Sequence, residues 1–330
     1  MLILGIESSC DETSAALVED GKTVLSLETA SSVDVHRLYG GVFPEMASRR
    51  HIDAILPVVA SALEKARVTS DDIDAIAVAR GPGLIGPLLI GLQAAKGLSI
   101  AWEKPLIGIN HVEAHLYAAL MGKEPLFPAI GLVLSGGHTL MLEIEHIGCY
   151  RLISATVDDA IGEAFDKTAT LLGLSYPGGP ALEEMAKQGD AAKISFSLPK
   201  VKKNPLAFSF SGLKTAALYA VKNAASEQYP DIAAAFQETA FADLIRKSRL
   251  AMETRSIRSL VFGGGVCNNQ RLRTLFKDEF PDLPQFWPAP GLSADNAAMI
   301  AGLGYHQFLA SGCKGASLDL EALPRTPFWQ

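Results

Sequence analysis

At 330 residues the chain is long for one hydrophobic core, and its 48% apolar content is ample for two lobes. A formal charge of -7 excludes a general nucleic-acid coat while leaving room for a local basic groove or a partner that supplies one. Cys10, Cys149, Cys267 and Cys313 are scattered without a C-x-x-C pair, so neither a zinc knuckle nor a disulfide framework is indicated, and a reducing compartment is expected.

The start, M-L-I-L-G-I-E-S-S, lacks a basic n-region and reads as a first strand over 2–7. The apolar stretch 84–92 is broken by Gly and Pro, so no membrane span is expected and the reading is a soluble, cytoplasmic protein without a membrane. A turn over 9–13, a returning strand over 14–18 and a further strand over 22–31 follow. The turn S-C-D-E-T carries Asp11, Glu12 and Thr13, which reach phosphate, metal or water there, or simply bond locally in a solvated turn. A helix is predicted over 52–65, with Glu45, Arg49 and His51 at its entrance, either functional or surface charge. After a strand over 75–79, R-G-P-G-L-I-G opens a helix running to about residue 100. Glycines between a strand and a helix form an anion site by geometry, but the spacing is neither Rossmann nor Walker.

A strand over 105–110 delivers I-N-H-V-E-A-H. If 112–121 is helical, His111 and His115 share a face one turn apart, where two imidazoles can hold one metal ion. Two histidines at this spacing are also an ordinary hydrogen-bonded pair, and a third ligand must come from elsewhere. Strands over 129–134 and 140–147 flank S-G-G-H-T, whose small residues and backbone donors suit a phosphate or carboxylate. Gly5 to Thr13 and Gly131 to Thr139 have the same Gly, Ser and Thr offsets, an echo that duplicated lobes facing a nucleotide cleft would explain.

Next come a strand over 150–155 and a helix over 160–172, with Asp159 and Asp166 two turns apart and a Glu163–Lys167 ion pair. Y-P-G-G-P-A-L-E makes a turn and helix start. An insertion over 199–211 carries Lys200, Lys202 and Lys203, joined by Lys214, with Phe208 and Phe210 between serines. This is an RNA-binding group with aromatics to stack a base, or a solvated lysine run beside a buried strand. Helices over 213–228 and 230–254 lead to a strand over 259–263 ending in G-G-G-V-C-N-N, where Asn268 or Asn269 can bond a base or ribose ahead of a helix from Gln270. Asp295 heads an apolar helix, as an N-cap or as the third metal ligand. Residues 319–330 read as an irregular tail.

Taken together, E-S-S-C-D-E-T, N-H-x-E-x-H, S-G-G-H-T, F-D-K with L-G-L-x-Y-P-G-G-P, F-S-F-S-G-L-K-T, G-G-V-x-x-N and D-N-A-A-M-I-A resemble, in order and over nearly the full length, the bacterial branch of the tRNA N6-adenosine threonylcarbamoyltransferase family. The resemblance implies an α/β fold of duplicated actin-like ATPase lobes (ASKHA, ribonuclease H-like) around a central nucleotide cleft. The expected division is 1–108, completed by a C-terminal helix at about 297–325, and 109–296, carrying the metal and nucleotide motifs with an insertion at about 195–215. It implies one divalent metal, Fe(2+) or Zn(2+), on His111, His115 and Asp295. Threonylcarbamoyl adenylate would be contacted by Ser135, Gly136, Gly137, His138, Thr139, Asp166, Gly179, Glu183 and Asn269, and binding of ATP, ADP or AMP is a further expectation.

The implied activity moves the threonylcarbamoyl group to N6 of the adenosine 3′ of the anticodon in tRNAs reading A-starting codons, releasing AMP. Asp11, Glu12 and His138 are the candidates for receiving the amine proton. The implied partners are tRNA, met by Lys200, Lys202, Lys203 and Lys214; a shorter paralogous actin-like protein of the TsaB type; a P-loop ATPase of the TsaE type; and a separate synthase that makes the adenylate. Ala114, Ala207 and Ala294 depart from the family's usual Gly, Asp and Ser or Thr. The alternatives are an ATP-binding scaffold of a tRNA-modifying complex and a metalloprotease. The last is disfavoured because Glu113 lies two residues after His111, about 200 degrees around a helix, where H-E-x-x-H proteases place it next to the histidine.

Overall fold

The computed structural model describes residues 1–31, 44–197, 201–202 and 204–329. Lys200 and Lys203 fall outside the described residues. The chain divides into two compact units, Met1–Pro125 with Trp287–Trp329, and Leu126–Phe286.

The first unit is built on a five-stranded sheet of order β3-β2-β1-β4-β5. β1 (Leu2–Glu7), β2 (Glu12–Glu19) and β3 (Thr23–Ser31) form an antiparallel meander, while β4 (Ala75–Gly81) and β5 (Leu106–Asn110) run parallel to β1. β1 is buried along its whole length, as a central strand covered on both faces must be. Successive side chains point to opposite faces. Leu2, Leu4 and Ile6 therefore join a core with Ile55, Val59 and Ala62 of α1 (Pro44–Ala66) and Leu92 and Ala95 of α2 (Ile85–Trp102). The other face takes α3 (His111–Leu120) and α9 (Ala297–Ala310). There Gly5 lets α9 approach so closely that a Cβ would lie 2.3 Å from the Ala297 carbonyl oxygen.

The second unit repeats the plan. Its sheet has the order β10-β9-β6-β7-β8, with β6 (Ala129–Leu134), β7 (Thr139–His146) and β8 (Cys149–Ala155) as the antiparallel meander. β9 (Ser259–Gly263) and the two-residue β10 (Gln285–Phe286) run parallel to β6. The helices of this unit are α4 (Ile161–Leu171), α5 (Gly178–Ala186), α6 (Ser211–Asn223), α7 (Tyr229–Met252) and α8 (Gln270–Glu279). The nine-residue sequence echo thus marks the first hairpin of each sheet.

Three expectations change. The division falls after Pro125 and before Trp287, not at 108/109 and 296/297, because α3 packs on β4, β5 and α9 of the first sheet, so all three candidate metal ligands belong to the first unit. α2 is one uninterrupted 18-residue helix, long and apolar enough by length and composition to cross a membrane. Pro87 is in its first turn, where the missing N–H is tolerated, and the helix lies against β4 and α1 with Leu88, Leu92 and Ala95 buried. Phe208 and Phe210 are fully buried and stack on each other, with the Lys247 ammonium 4.9 Å from the Phe208 ring centroid, so both rings serve the core and neither is free to stack a base.

Candidate metal centre and substrate-binding turns

The side chain of Asn110 accepts hydrogen bonds from the Val112 and Glu113 amides, and this cap starts α3 at His111. His111 and His115 are then one turn apart, both buried, with ring centroids 4.6 Å apart and planes nearly perpendicular. Asp295 Oδ1 lies 3.1 Å from His115 Nε2 and 3.6 Å from His111 Nε2. Asn296 caps α9 by accepting from the Met299 amide, which leaves the Asp295 carboxylate for the histidines. The three ligand atoms lie within 4.8 Å of one another.

On its other ring nitrogen, His111 Nδ1 is 2.9 Å from Glu7 Oε2 and 3.1 Å from Ser9 Oγ. A carboxylate behind an imidazole fixes its tautomer and raises its basicity toward a metal. Burial pushes the His111 imidazole down, and the carboxylates of Glu7, Asp295 and Glu12 outweigh it, taking it up to about 9. The carboxyl of Glu12 is raised to about 8 by burial and then by Asp295, Asp11 and Glu7. Four carboxylates crowd two imidazoles, an imbalance that a divalent cation would offset.

The approach of His115 Nε2 to Asp295 lacks hydrogen-bond alignment, and both ring nitrogens of this buried histidine are without a hydrogen-bond partner. Leaving such a group unsatisfied costs about 1–3 kcal/mol. Ligands of a tetrahedral zinc ion stand roughly 3.3 Å apart, so the Asp295 distances and the orphaned His115 nitrogen fit a metal. The sequence singled out His111, His115 and Asp295; it gave no reason to single out Glu7, because a glutamate ending a buried strand has no spacing signature.

In the second unit, the Ser135 amide donates to the His138 carbonyl and the His138 amide to Ser135 Oγ, closing S-G-G-H-T into a tight turn. Thr139 is buried, and its hydroxyl accepts from the Ile161 amide at the start of α4. Gly162 brings that helix so near that a Cβ would meet the Ser135 carbonyl oxygen at 2.7 Å. Gly136 and Gly137 are exposed, with nothing within 4 Å of where a Cβ would stand, so packing does not require them and the backbone there is open to approach.

Asp166 Oδ1 accepts from the amides of Gly178 and Gly179 and so orients the first turn of α5. Asn269 caps α8 through the Leu272 amide and donates its Nδ2 to Gln237 Oε1, while Glu183 accepts from the Gln270 amide. These four candidate positions therefore tie segments of the second unit together. A cavity of 470 Å³ beside them is lined by Glu183, Lys187, Gln237, Glu238, Gln270 and Arg271, among others. Lys214 is held by Asp159 in an ion pair, so of the four lysines only Lys202 is both described and exposed.

Two units with sheets of the same strand order, one unit carrying a His-His-Asp cluster able to hold a divalent metal, define a duplicated actin-like protein. Solved structures agree at the level of fold. HypF of T. kodakarensis has a TM-score of 0.62 over 95% of this chain and 48% of its own, at 14% identity. The activator of the 2-hydroxyisocaproyl-CoA dehydratase from Clostridium difficile has 0.57 over 94% and 97%, at 15% identity.

Sequence comparison goes further. The TsaD family, tRNA N6-adenosine threonylcarbamoyltransferase, matches residues 23–302. Proteins of that description from Protochlamydia amoebophila and Dictyoglomus turgidum are 56% and 48% identical, covering 99% and 97% of this chain and 98% and 96% of their own. The chain belongs to the tRNA N6-adenosine threonylcarbamoyltransferase family.

Proposed function

We infer that the chain performs its family's reaction, with a candidate metal centre in the first unit and candidate nucleotide-binding turns in the second. It is an enzyme that transfers a threonylcarbamoyl group to N6 of a tRNA adenosine, the one 3′ of the anticodon in tRNAs reading A-starting codons. Threonylcarbamoyl adenylate is the donor and AMP the product.

The observation that carries the reading is the His111–His115–Asp295 set, two buried histidines and a half-buried carboxylate, with Glu7 behind His111 and the unsatisfied imidazole of His115. The exocyclic amine of adenine is a poor nucleophile because its lone pair is delocalised, so the acyl carbonyl must be polarised and the leaving phosphate held. A divalent metal, Fe(2+) or Zn(2+), on these three residues would supply Lewis-acid polarisation when bound. Glu7 orients His111 through Nδ1. Glu12, its carboxyl raised to about 8 by burial and its acidic neighbours, is matched to receiving the amine proton near neutral pH, with Asp11 beside it. The amides of the Ser135–Thr139 turn suit the phosphate. Gly179, presented by Asp166, together with Glu183 and Asn269, suits the nucleoside of the adenylate or of AMP, ADP or ATP. His138 is the lesser proton acceptor.

The partners proposed are tRNA, the shorter actin-like paralogue, a P-loop ATPase and a separate synthase. Ile52 and Leu56 on α1 and Ile85 and Leu89 on α2 are large apolar side chains left exposed on two helices that pack together, which supports a docked protein partner. Transfer of labelled threonine from preformed threonylcarbamoyl adenylate to an A-codon tRNA, by wild-type protein and His111→Ala with and without partners, tests the reading. Label that depends on His111 is the expected result; no label with any partner set would shift the assignment to a nucleotide-binding scaffold.

A further inference from the structure

His51 takes no part in the centre described above, yet it is fully buried, and both of its ring nitrogens are used on one short stretch of chain. Nε2 lies 2.9 Å from the Cys10 carbonyl oxygen and Nδ1 2.6 Å from Thr13 Oγ1. A carbonyl oxygen only accepts, so Nε2 carries the hydrogen; Nδ1 then accepts the hydrogen of the Thr13 hydroxyl. Thr13 is itself buried and paired with Ala30 in the β2–β3 ladder, which makes it a fixed post. The imidazole therefore spans the two residues between its partners, and those two are Asp11 and Glu12.

An apolar side chain would fill this position on α1 at no polar cost, while a buried histidine is tolerated because both nitrogens are satisfied. The same turn is also held by the Leu84 amide, which donates to the Ser9 carbonyl at 2.8 Å. Gly83 permits that contact, with φ +157 and a Cβ position 2.6 Å from the Ser9 carbonyl oxygen. The acidic turn is clamped from two elements.

We propose that His51 is a positioning residue for the transfer reaction, holding the backbone of residues 10–13 so that the Asp11 and Glu12 carboxylates are presented to the amine that attacks. The inference rests on the reading in which one of those carboxylates receives the amine proton. Displacing a reacting group by about 1 Å is enough to cost on the order of 100-fold in rate.

The test is steady-state transfer by the full chain with its partner proteins, measured alongside metal content and melting temperature. His51→Leu keeps the volume and removes both bonds; kcat should fall roughly 10- to 100-fold, with the KM for tRNA and the metal content unchanged. His51→Gln restores a donor toward the Cys10 carbonyl and should recover most of the rate. Thr13→Val should lower kcat less than His51→Leu, and the double variant should be no worse than His51→Leu alone. If His51→Leu does not fold, His51→Gln against Thr13→Val decides the matter, since Thr13→Val with full kcat overturns the proposal. Wild-type kcat in His51→Leu also overturns it, as does loss of metal in step with loss of rate. Asp11→Asn and Glu12→Gln separate the two readings. If neither lowers kcat, the proton-acceptor reading falls; if either does while His51→Leu is fully active, only the positioning inference falls.

Discussion

The β1–β2 turn and the β6–β7 turn hold equivalent places in two sheets of the same strand order, and they are built from opposite materials. In the first, acidic side chains are packed inward: Glu7 and Asp11 are buried, Glu12 is half-buried, and the chain is bonded to His51 and Leu84. In the second, Gly136 and Gly137 expose bare backbone, and the bracing comes from glycines in the neighbouring segments. Duplication kept the scaffold and divided the chemistry, with titratable groups suited to a cation in one turn and peptide dipoles suited to an anion in the other. The contrast can be broken at either turn.

The largest effect is expected at the metal ligands. His115→Ala should abolish stoichiometric metal binding and lower transfer by about three orders of magnitude, several kcal/mol of transition-state stabilisation; metal analysis and tRNA labelling read both. Glu7→Gln keeps the ligands and removes only the charge behind His111, so metal affinity should weaken roughly 10- to 100-fold in a competition titration.

In the second turn the equivalent damage is steric. Gly264 has φ +96, and a Cβ there would stand 2.4 Å from the Leu134 carbonyl oxygen, so Gly264→Ala should cost about 1–3 kcal/mol in denaturant unfolding. Gly136→Ala, with open space around it, should change stability by under about 0.5 kcal/mol. An equal loss at both positions would refute the division between bracing and ligand-facing glycines.

The acidic turn also predicts a pH dependence. Glu12, raised to about 8, binds a proton more tightly when folded, so its contribution is lost as pH rises from the ordinary carboxylate range through about 8. His111, raised to about 9, contributes stability that is present below its ordinary value of 6.5 and lost as pH rises through about 9. Metal-free protein should therefore weaken steadily over this window, and Glu12→Gln should flatten the lower part; urea midpoints at fixed salt measure it. Smallest of all, Lys202→Ala should reduce the salt slope of tRNA binding by about one and leave catalysis alone.

Much of this was legible in the sequence. The strands of both sheets except β10, whose two residues Gln285 and Phe286 make no apolar run, follow from apolar runs bounded by turn residues, and the repeat of Gly, Ser and Thr offsets marks the duplicated hairpins. His111 and His115 were legible from helical spacing. Asp295 was half-legible, since only the structure shows that Asn296 takes the capping role. The boundary between the units was not legible, because α3 follows β5 without a break in composition and its assignment depends on packing with α9, far along the chain. The setting of Lys214 was hidden for a related reason: charge is visible in a sequence, but the Asp159 that engages Lys214 is brought to it by the fold.

The discontinuity of the first unit has a consequence for how the protein is made. Residues Leu126–Phe286 form a contiguous unit that can close as soon as it emerges from the ribosome, whereas one face of the first sheet waits for Ala297–Ala310. After that helix the chain binds back along the same unit: the Leu323 amide donates to the Arg80 carbonyl, the Gly83 amide to the Pro324 carbonyl, and Asn110, which starts the histidine helix, donates to the Thr326 carbonyl. The first unit to be synthesised is thus the last to be completed. Since Asp295 directly precedes that helix, the three candidate metal ligands can come together only on chains synthesised past residue 295.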